Sequence, residues 1–138
     1  CKTQSASSSL IFFMKNDDHK WDNKHPTAQM LGRWQPWHEG HQKLFEEILK
    51  KTGQVNIMVR DVKGVDDNPF EFETVKKNIL EALKEYENRI KISLVPNITN
   101  ICYGRGVGYK IEEIVLDEKT QQISATKIRE QMRKDGKL

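Results

Sequence analysis

The chain has 138 residues, enough for one packed domain and too few for two. Hydrophobic residues make up 36% and charged residues 31%, and the apolar ones gather in clusters such as VNIMV and IKISLV, which excludes a fully disordered chain. With 23 Lys+Arg against 20 Asp+Glu the formal charge is +3, too mild by itself to imply nucleic acid or a membrane surface.

In chain order, the opening CKTQSASSS is polar and lacks an initiator Met, and residues 15–27 are polar and aperiodic. Residues 1–27 therefore read as a flexible or extended arm ahead of a domain over residues 28–138. Ala28–Gly32 predicts a short apolar strand, followed by turn chemistry through Arg33–Trp37 around Pro36. A helix fits Gly40–Thr52. Leu44, Phe45, Ile48 and Leu49 recur at helical spacing, Lys50 and Lys51 suit the negative end of the dipole, and Gly53 ends it. Val55–Arg60 is apolar on both faces and predicts a strand covered by helices on both sides.

Asn68 as N-cap, Pro69 at the first helical position and Glu71 as capping-box acid then predict a helix to about Asn88. Its stripe is Phe72, Val75, Ile79, Leu83 and Tyr86. Ile90–Val95 predicts a third strand, ended by Pro96. Ile98–Tyr103 fits a further short strand or an extended loop, and Ile111–Leu116 fits either helix or strand. A last helix begins near Ser124 and runs to about Lys134. Two cysteines, Cys1 and Cys102, exclude a disulfide scaffold and a Cys-based zinc site. The longest apolar run, Leu10–Met14, is too short for a transmembrane helix or a signal segment, so the default setting is reduced and cytoplasmic.

Alternation of strand and helix argues for an α/β, Rossmann-like three-layer domain with a parallel sheet of four or five strands and right-handed crossovers. Ligands of such sheets bind beyond the carboxyl ends of the strands. The first strand leads into GRWQPWHEGH, Gly32–His41. His38 and His41 open the following helix, and Gly40 between them allows close backbone approach. The positive dipole, free N–H groups and two imidazoles converge there, which describes an anion site. The zinc-protease pattern needs H-E-x-x-H and a third ligand; this is H-E-G-H with none nearby, so no metal is assigned to these histidines. Simple capping by His38 is the competing reading, and it leaves Gly32, Pro36 and Gly40 unexplained.

GRWQPWHEGH resembles the H-x-G-H signature of the nucleotidyltransferase superfamily, which includes cytidylyltransferases and nicotinamide-nucleotide adenylyltransferases. Its G-R-x-Q-P portion is most similar to the archaeal-type adenylyltransferases. ISATKIR, Ile123–Arg129, resembles the superfamily's I-S-x-T-x-x-R signature, so the resemblance runs from about Met30 to Met132. NPF at Asn68–Phe70 is similar to a segment near the nucleotide-accepting side, although EFETVK follows where a Gly-Glu-Arg element would stand.

The resemblance implies transfer of a nucleoside monophosphate, AMP from ATP ahead of CMP from CTP, to a small phosphorylated acceptor. Pyrophosphate leaves, and Mg²⁺ comes bound through the triphosphate. It also implies roles for individual residues. His38 and His41 would meet α-phosphate oxygens, and Gly32, Arg33 and Gly40 would line the phosphate chain. Ser124 and Thr126 would turn the last helix's N-terminus toward the β- and γ-phosphates, with Arg129 on the leaving pyrophosphate. Arg133 reads as solvated.

Trp37, Asp61 and Arg105 are candidate acceptor contacts, Arg105 from the glycine-rich YGRGVGY loop, which is not a G-x-G-x-x-G fingerprint. The basic residues of the last helix are few and interrupted by Glu130, which argues against nucleic acid. No membrane partner is expected, and similar enzymes are commonly homo-oligomers. A non-catalytic nucleotide-binding or regulatory module is the rival reading, since the chain is short for the family.

Overall fold

The computed structural model describes residues 13–65, 67–106 and 108–137. The readings made above for Cys1 and for residues 1–12 of the arm lie outside them. Three strands, β1 (Ala28–Gly32), β2 (Val55–Arg60) and β3 (Ile90–Val95), form a parallel sheet in the order β1-β2-β3. Met30, Ile57 and Ile92 lie in register across it. Helices α1 (Glu39–Thr52) and α2 (Phe72–Ala82) make the crossovers, and a 3-10 turn (Lys84–Arg89) leads into β3. A one-turn α3 (Glu118–Gln121) and α4 (Ala125–Lys134) close the chain.

Crossovers of one hand that step in one direction across a sheet place their helices on the same face. One core results. Met30, Val55, Ile57, Val59 and Ile90 from the sheet pack with Phe45 and Leu49 of α1 and Val75 and Ile79 of α2. Along β2 burial alternates: Val55, Ile57 and Val59 are buried, while Asn56, Met58 and Arg60 are only half-buried. The expected cover on both sides is therefore corrected to one fully buried face, and the three-layer arrangement is not seen among the described residues. Across the other face Asn56 and Ser93 hydrogen-bond, 3.1 Å apart.

The sheet also has three strands among the described residues where four or five were expected. The stretches 98–103 and 111–116 run without regular structure. Ile101, Ile111 and Val115 stand 61%, 64% and 75% exposed, and Ile114 alone of that group reaches the core. With so few inward apolar side chains, neither stretch can fill a sheet face, and neither joins the ladder.

α1 follows its sequence signals closely. Gly53 caps it at φ +77°, its N–H donating to the Leu49 carbonyl at 2.7 Å. α2 departs from them: its N-cap is Glu71, not Asn68. Asn68 is buried with its Nδ2 donating to the Val65 carbonyl, and Phe70 is tied elsewhere, so the capping-box geometry never forms. At its far end the helix gives way after Ala82 instead of reaching Asn88. A 3-10 turn aligns residues three apart, which lets both Leu83 and Tyr86 enter the core. The Tyr86 hydroxyl then donates to Glu46 of α1 at 3.3 Å.

Residues 16–27 follow an irregular path fixed by polar anchors. Gln54 is wholly buried, and its Oε1 accepts from His19 Nε2 (3.0 Å) and the Asp22 N–H (3.1 Å). Its Nε2 donates to the Asp22 carbonyl (2.9 Å) and Thr27 Oγ1 (2.8 Å). Arg89 pairs with Asp17, and Asn88 donates to the Asp17 carbonyl at 2.7 Å.

Candidate functional site

The carboxyl end of β1 gives way to a loop that ends at the first turn of α1. Gly32 closes the strand with the ring of Trp34 laid against it. A Cβ there would sit 2.6 Å from Trp34 Cζ2, so only glycine admits the indole. Trp34 adopts φ +54°, unusual for a bulky residue, and donates Nε1–H to the Met58 carbonyl at 3.2 Å. The Gln35–Pro36 bond is cis. Trp34 is buried and Trp37 partly so. Their rings stand 5.2 Å apart, and each lies against His41, at 4.7 and 5.5 Å.

His38 is the N-cap of α1 in an extended conformation, φ −140°. Its Nδ1 accepts from the Gly40 N–H (3.0 Å) and the His41 N–H (3.4 Å), while the His38 N–H donates to His41 Nδ1 at 3.2 Å. This is a capping box built from two imidazoles, which stack 3.6 Å apart at 19°. Each Nδ1 is occupied as an acceptor, so each neutral ring carries its proton on Nε2. The free helix N–H groups expected at Gly40 and His41 are thus taken. Their polarity is passed through the rings to two Nε2–H donors.

Gly40 is needed for the same reason: a Cβ would lie 2.8 Å from His38 Cε1. Burial among the aromatic rings, helped by the neighbouring His38, pushes the pKa of His41 down to about 3. Burial lowers that of His38 as well. Both rings are uncharged donors near neutral pH, suited to hydrogen-bonding an anion without first losing or gaining a proton.

The second signature reaches this loop from far along the chain. Thr120 of α3 is buried, with its carbonyl 3.6 Å from the Cβ position of Gly40, and Lys43 of α1 approaches Thr120 Oγ1 at 3.4 Å. Ser124 caps α4, accepting from the Lys127 N–H at 3.4 Å, and Thr126 is exposed in its first turn. Arg129 is 5% exposed. It donates through Nη1 to the Gln35 carbonyl (2.5 Å), through Nε to Asp67 Oδ2 (2.9 Å) and through Nη2 to Thr126 Oγ1 (3.3 Å). Arg133 is not simply solvated: its Nη2 donates to Asp67 Oδ1 at 2.5 Å. Hydrogen bonds from Arg133 and then Arg129 hold the Asp67 pKa down at about 2.

His38, His41, Gly32, Gly40 and Arg129 are thus gathered around one loop, with Ser124 and Thr126 on the helix that Arg129 docks. Arg33 is exposed on the loop itself. Asp61 lies exposed just past β2, its N–H donating to the Val95 carbonyl at 2.8 Å. Arg105 is exposed in an irregular segment. Two residues of this cluster carried no role in the sequence reading, Gln35 and Asp67. The signals were present, Gln35 inside G-R-x-Q-P and Asp67 directly before NPF, but spacing cannot pair residues so distant in the chain. Among the described residues no group of three or more His, Cys, Asp or Glu is placed to hold a metal ion, and no helix is long and apolar enough to cross a membrane.

The fold and site define a parallel α/β domain with a paired-imidazole helix start beyond its first strand. Over 61 residues the chain is 33% identical to the nicotinamide-nucleotide adenylyltransferase of Methanococcus aeolicus, a match that covers 43% of this chain and 36% of that protein. The likeness to a nucleotidyltransferase is therefore distant and partial, spanning little more than a third of the relative's length. No family model matches the chain.

Proposed function

We propose that the chain is a nucleotidyltransferase that transfers AMP from ATP to a small phosphorylated acceptor. The observation that carries this reading is the stacked His38–His41 pair at the carboxyl end of β1, tied to the second signature through Arg129. A phosphate oxygen of the acceptor attacks the α-phosphorus, the bond to the β-bridging oxygen breaks, and pyrophosphate leaves with that electron pair. Such a transfer needs positioning and charge neutralisation more than covalent help. The Nε2–H groups of His38 and His41 donate to the α-phosphate oxygens as charge builds on them, and the N-terminus of α4 at Ser124 and Thr126 faces the departing phosphates. Magnesium belongs to the substrate, bound through the triphosphate. The carboxylate tied into the cluster, Asp67, is already held by two guanidiniums and has little left to offer a cation. The distant likeness to an adenylyltransferase favours ATP over CTP as donor.

The test is pyrophosphate release with ATP or CTP and Mg²⁺ against a panel of phosphorylated acceptors, nicotinamide mononucleotide among them. His41→Ala runs beside the parent. Loss of one preorganised donor should lower turnover about 10²–10³-fold in a protein that still folds. A folded His41→Ala variant with parental turnover would remove the assigned role. Nucleotide binding without release against any acceptor would favour a binding module.

A further inference from the structure

Four residues close a ring of contacts across the three segments that make the site. The Gln35 side chain is 4% exposed and pairs with the backbone of Phe70 as a neighbouring strand would. Its Oε1 accepts from the Phe70 N–H at 2.9 Å, and its Nε2 donates to the Phe70 carbonyl at 2.9 Å. Three residues before Phe70, Asp67 accepts from Arg129 Nε, and Arg129 returns to Gln35 by donating to its carbonyl. The path runs Gln35, Phe70, Asp67, Arg129 and back to Gln35. It joins the loop that carries the histidines, the loop beyond β2 and the helix that carries the second signature.

α4 depends on this ring. Arg129 is its one buried residue among those described, and Ile128 and Met132 are not among the residues packed on the hydrophobic core. The helix is therefore tied to the site by directed polar contacts, with Ile128 and Met132 only half-buried outside that core. Arg133 adds a second grip on the same carboxylate from the exposed side. A bidentate, charge-assisted contact fixes direction as well as distance. A displacement of about 1 Å at a reacting centre can cost on the order of 10²-fold in rate.

We propose that Gln35 and Asp67 are positioning residues for nucleotidyl transfer, holding α4 and its Arg129 in register with the His38–His41 pair. The proposal rests on the transfer activity argued above and adds to it two residues that meet no reacting atom. Gln35 sets the spacing of two strand-exit loops through its side chain and of α4 through its carbonyl. Asp67 sets the direction of both guanidiniums.

The experiment measures kcat and KM for ATP, per folded molecule, in the parent and in Gln35→Ala, Asp67→Asn, Asp67→Glu and the double variant Gln35→Ala/Asp67→Asn. Expected are a fall in kcat of about tenfold or more in each of the first two, with KM changed less than kcat, and partial recovery in Asp67→Glu. The double variant should lose little beyond the worse single one, because one opening already breaks the ring. A residue that only supported the fold would lower the unfolding midpoint and leave kcat per folded molecule at the parental value. That outcome in Asp67→Asn overturns the proposal, and Asp67→Asn decides alone should Gln35→Ala fail to fold. A parent that releases no pyrophosphate from any pair overturns instead the transfer reading beneath it.

Discussion

The rings of His38 and His41 lie face to face, 3.6 Å apart, each accepting a backbone N–H through Nδ1 within the same helical turn. Protonating either Nδ1 would break the cap, and burial opposes a charge on His41 in any case. Its pKa in the folded protein, about 3, lies far below the ordinary 6.5, at which it titrates when unfolded. The unfolded chain therefore binds more protons below pH 6.5, so this contribution to stability is complete above that pH and is lost as pH falls toward 3. His38 is shifted in the same direction. Asp17, Asp67 and Asp117 are lowered too, but they act only below their ordinary value of 3.8. Between pH 6.5 and 5 the protein should lose up to about 2 kcal/mol through His41. Urea unfolding at pH 7, 6 and 5 reads this, and His41→Gln should flatten the slope. A parent equally stable at pH 7 and pH 5 contradicts it.

Gly40 offers a way to disturb one ring without removing it. An added Cβ would meet His38 Cε1 at 2.8 Å and Nδ1 at 3.0 Å, so the imidazole must rotate away and release its two N–H partners. The helix itself tolerates alanine better than glycine, by up to about 1 kcal/mol, which offsets part of the lost cap. Gly40→Ala should therefore keep a near-parental unfolding midpoint while pyrophosphate release falls about tenfold or more. Parental release from that variant would mean that the seat of the His38 ring does not matter to the reaction.

The elements that sequence made legible are those whose signals are local. Glu39–Thr52, Val55–Arg60, Ile90–Val95 and Ala125–Lys134 each agree with periodicity or capping to within a residue. The start of α2 differs from its local signals because Asn68, Pro69 and Glu71 mimic a capping box while the Asn68 side chain and the backbone beside it are engaged elsewhere. Asn68 is bound to Val65, and Phe70 is bound to a glutamine 35 residues upstream. The I-S-x-T-x-x-R resemblance assigns Arg129 to the site, while Arg133, one turn beyond it, reads as solvated. The carboxylate that joins them lies 62 and 66 residues away, and no periodicity reports such a contact. In the site, the histidines and both glycines were visible as a motif, whereas the residues that hold the motifs together were not.

The two arginines should separate by stability. Arg129 is buried with three acceptors on three nitrogens, and its removal leaves the Gln35 carbonyl without that donor inside the protein. Arg129→Ala should cost about 2–3 kcal/mol, and Arg129→Lys should recover little, because one ammonium cannot span three divergent acceptors. Arg133 is half-exposed and shares its acceptor with Arg129, so Arg133→Ala should leave the unfolding midpoint unmoved within error. Equal losses from both variants in chemical denaturation would refute the distinction.

Gln54 fastens the segment before β1 in a way that one substitution can undo. Both lone-pair directions of its Oε1 and both protons of its Nε2 are used, on His19, Asp22 and Thr27, inside a position with no exposure. Gln54→Ala strips partners from Asp22 and Thr27 and opens a small void beside Val55, at a cost of about 2–4 kcal/mol. The loss should be local before it is global. The Asp17–Arg89 pair and the Asn88 contacts still hold the segment's start, and His25 Nε2 still donates to the Thr52 carbonyl at 2.8 Å, whereas Asp22 loses the side chain that held its N–H and its carbonyl. Hydrogen exchange in Gln54→Ala should therefore speed up over residues 19–27 well before it does in α1 or β2. Uniform acceleration across the sheet would show instead that Gln54 supports the core directly, and an unchanged pattern would show that the Arg89, Asn88 and His25 contacts suffice to hold the segment.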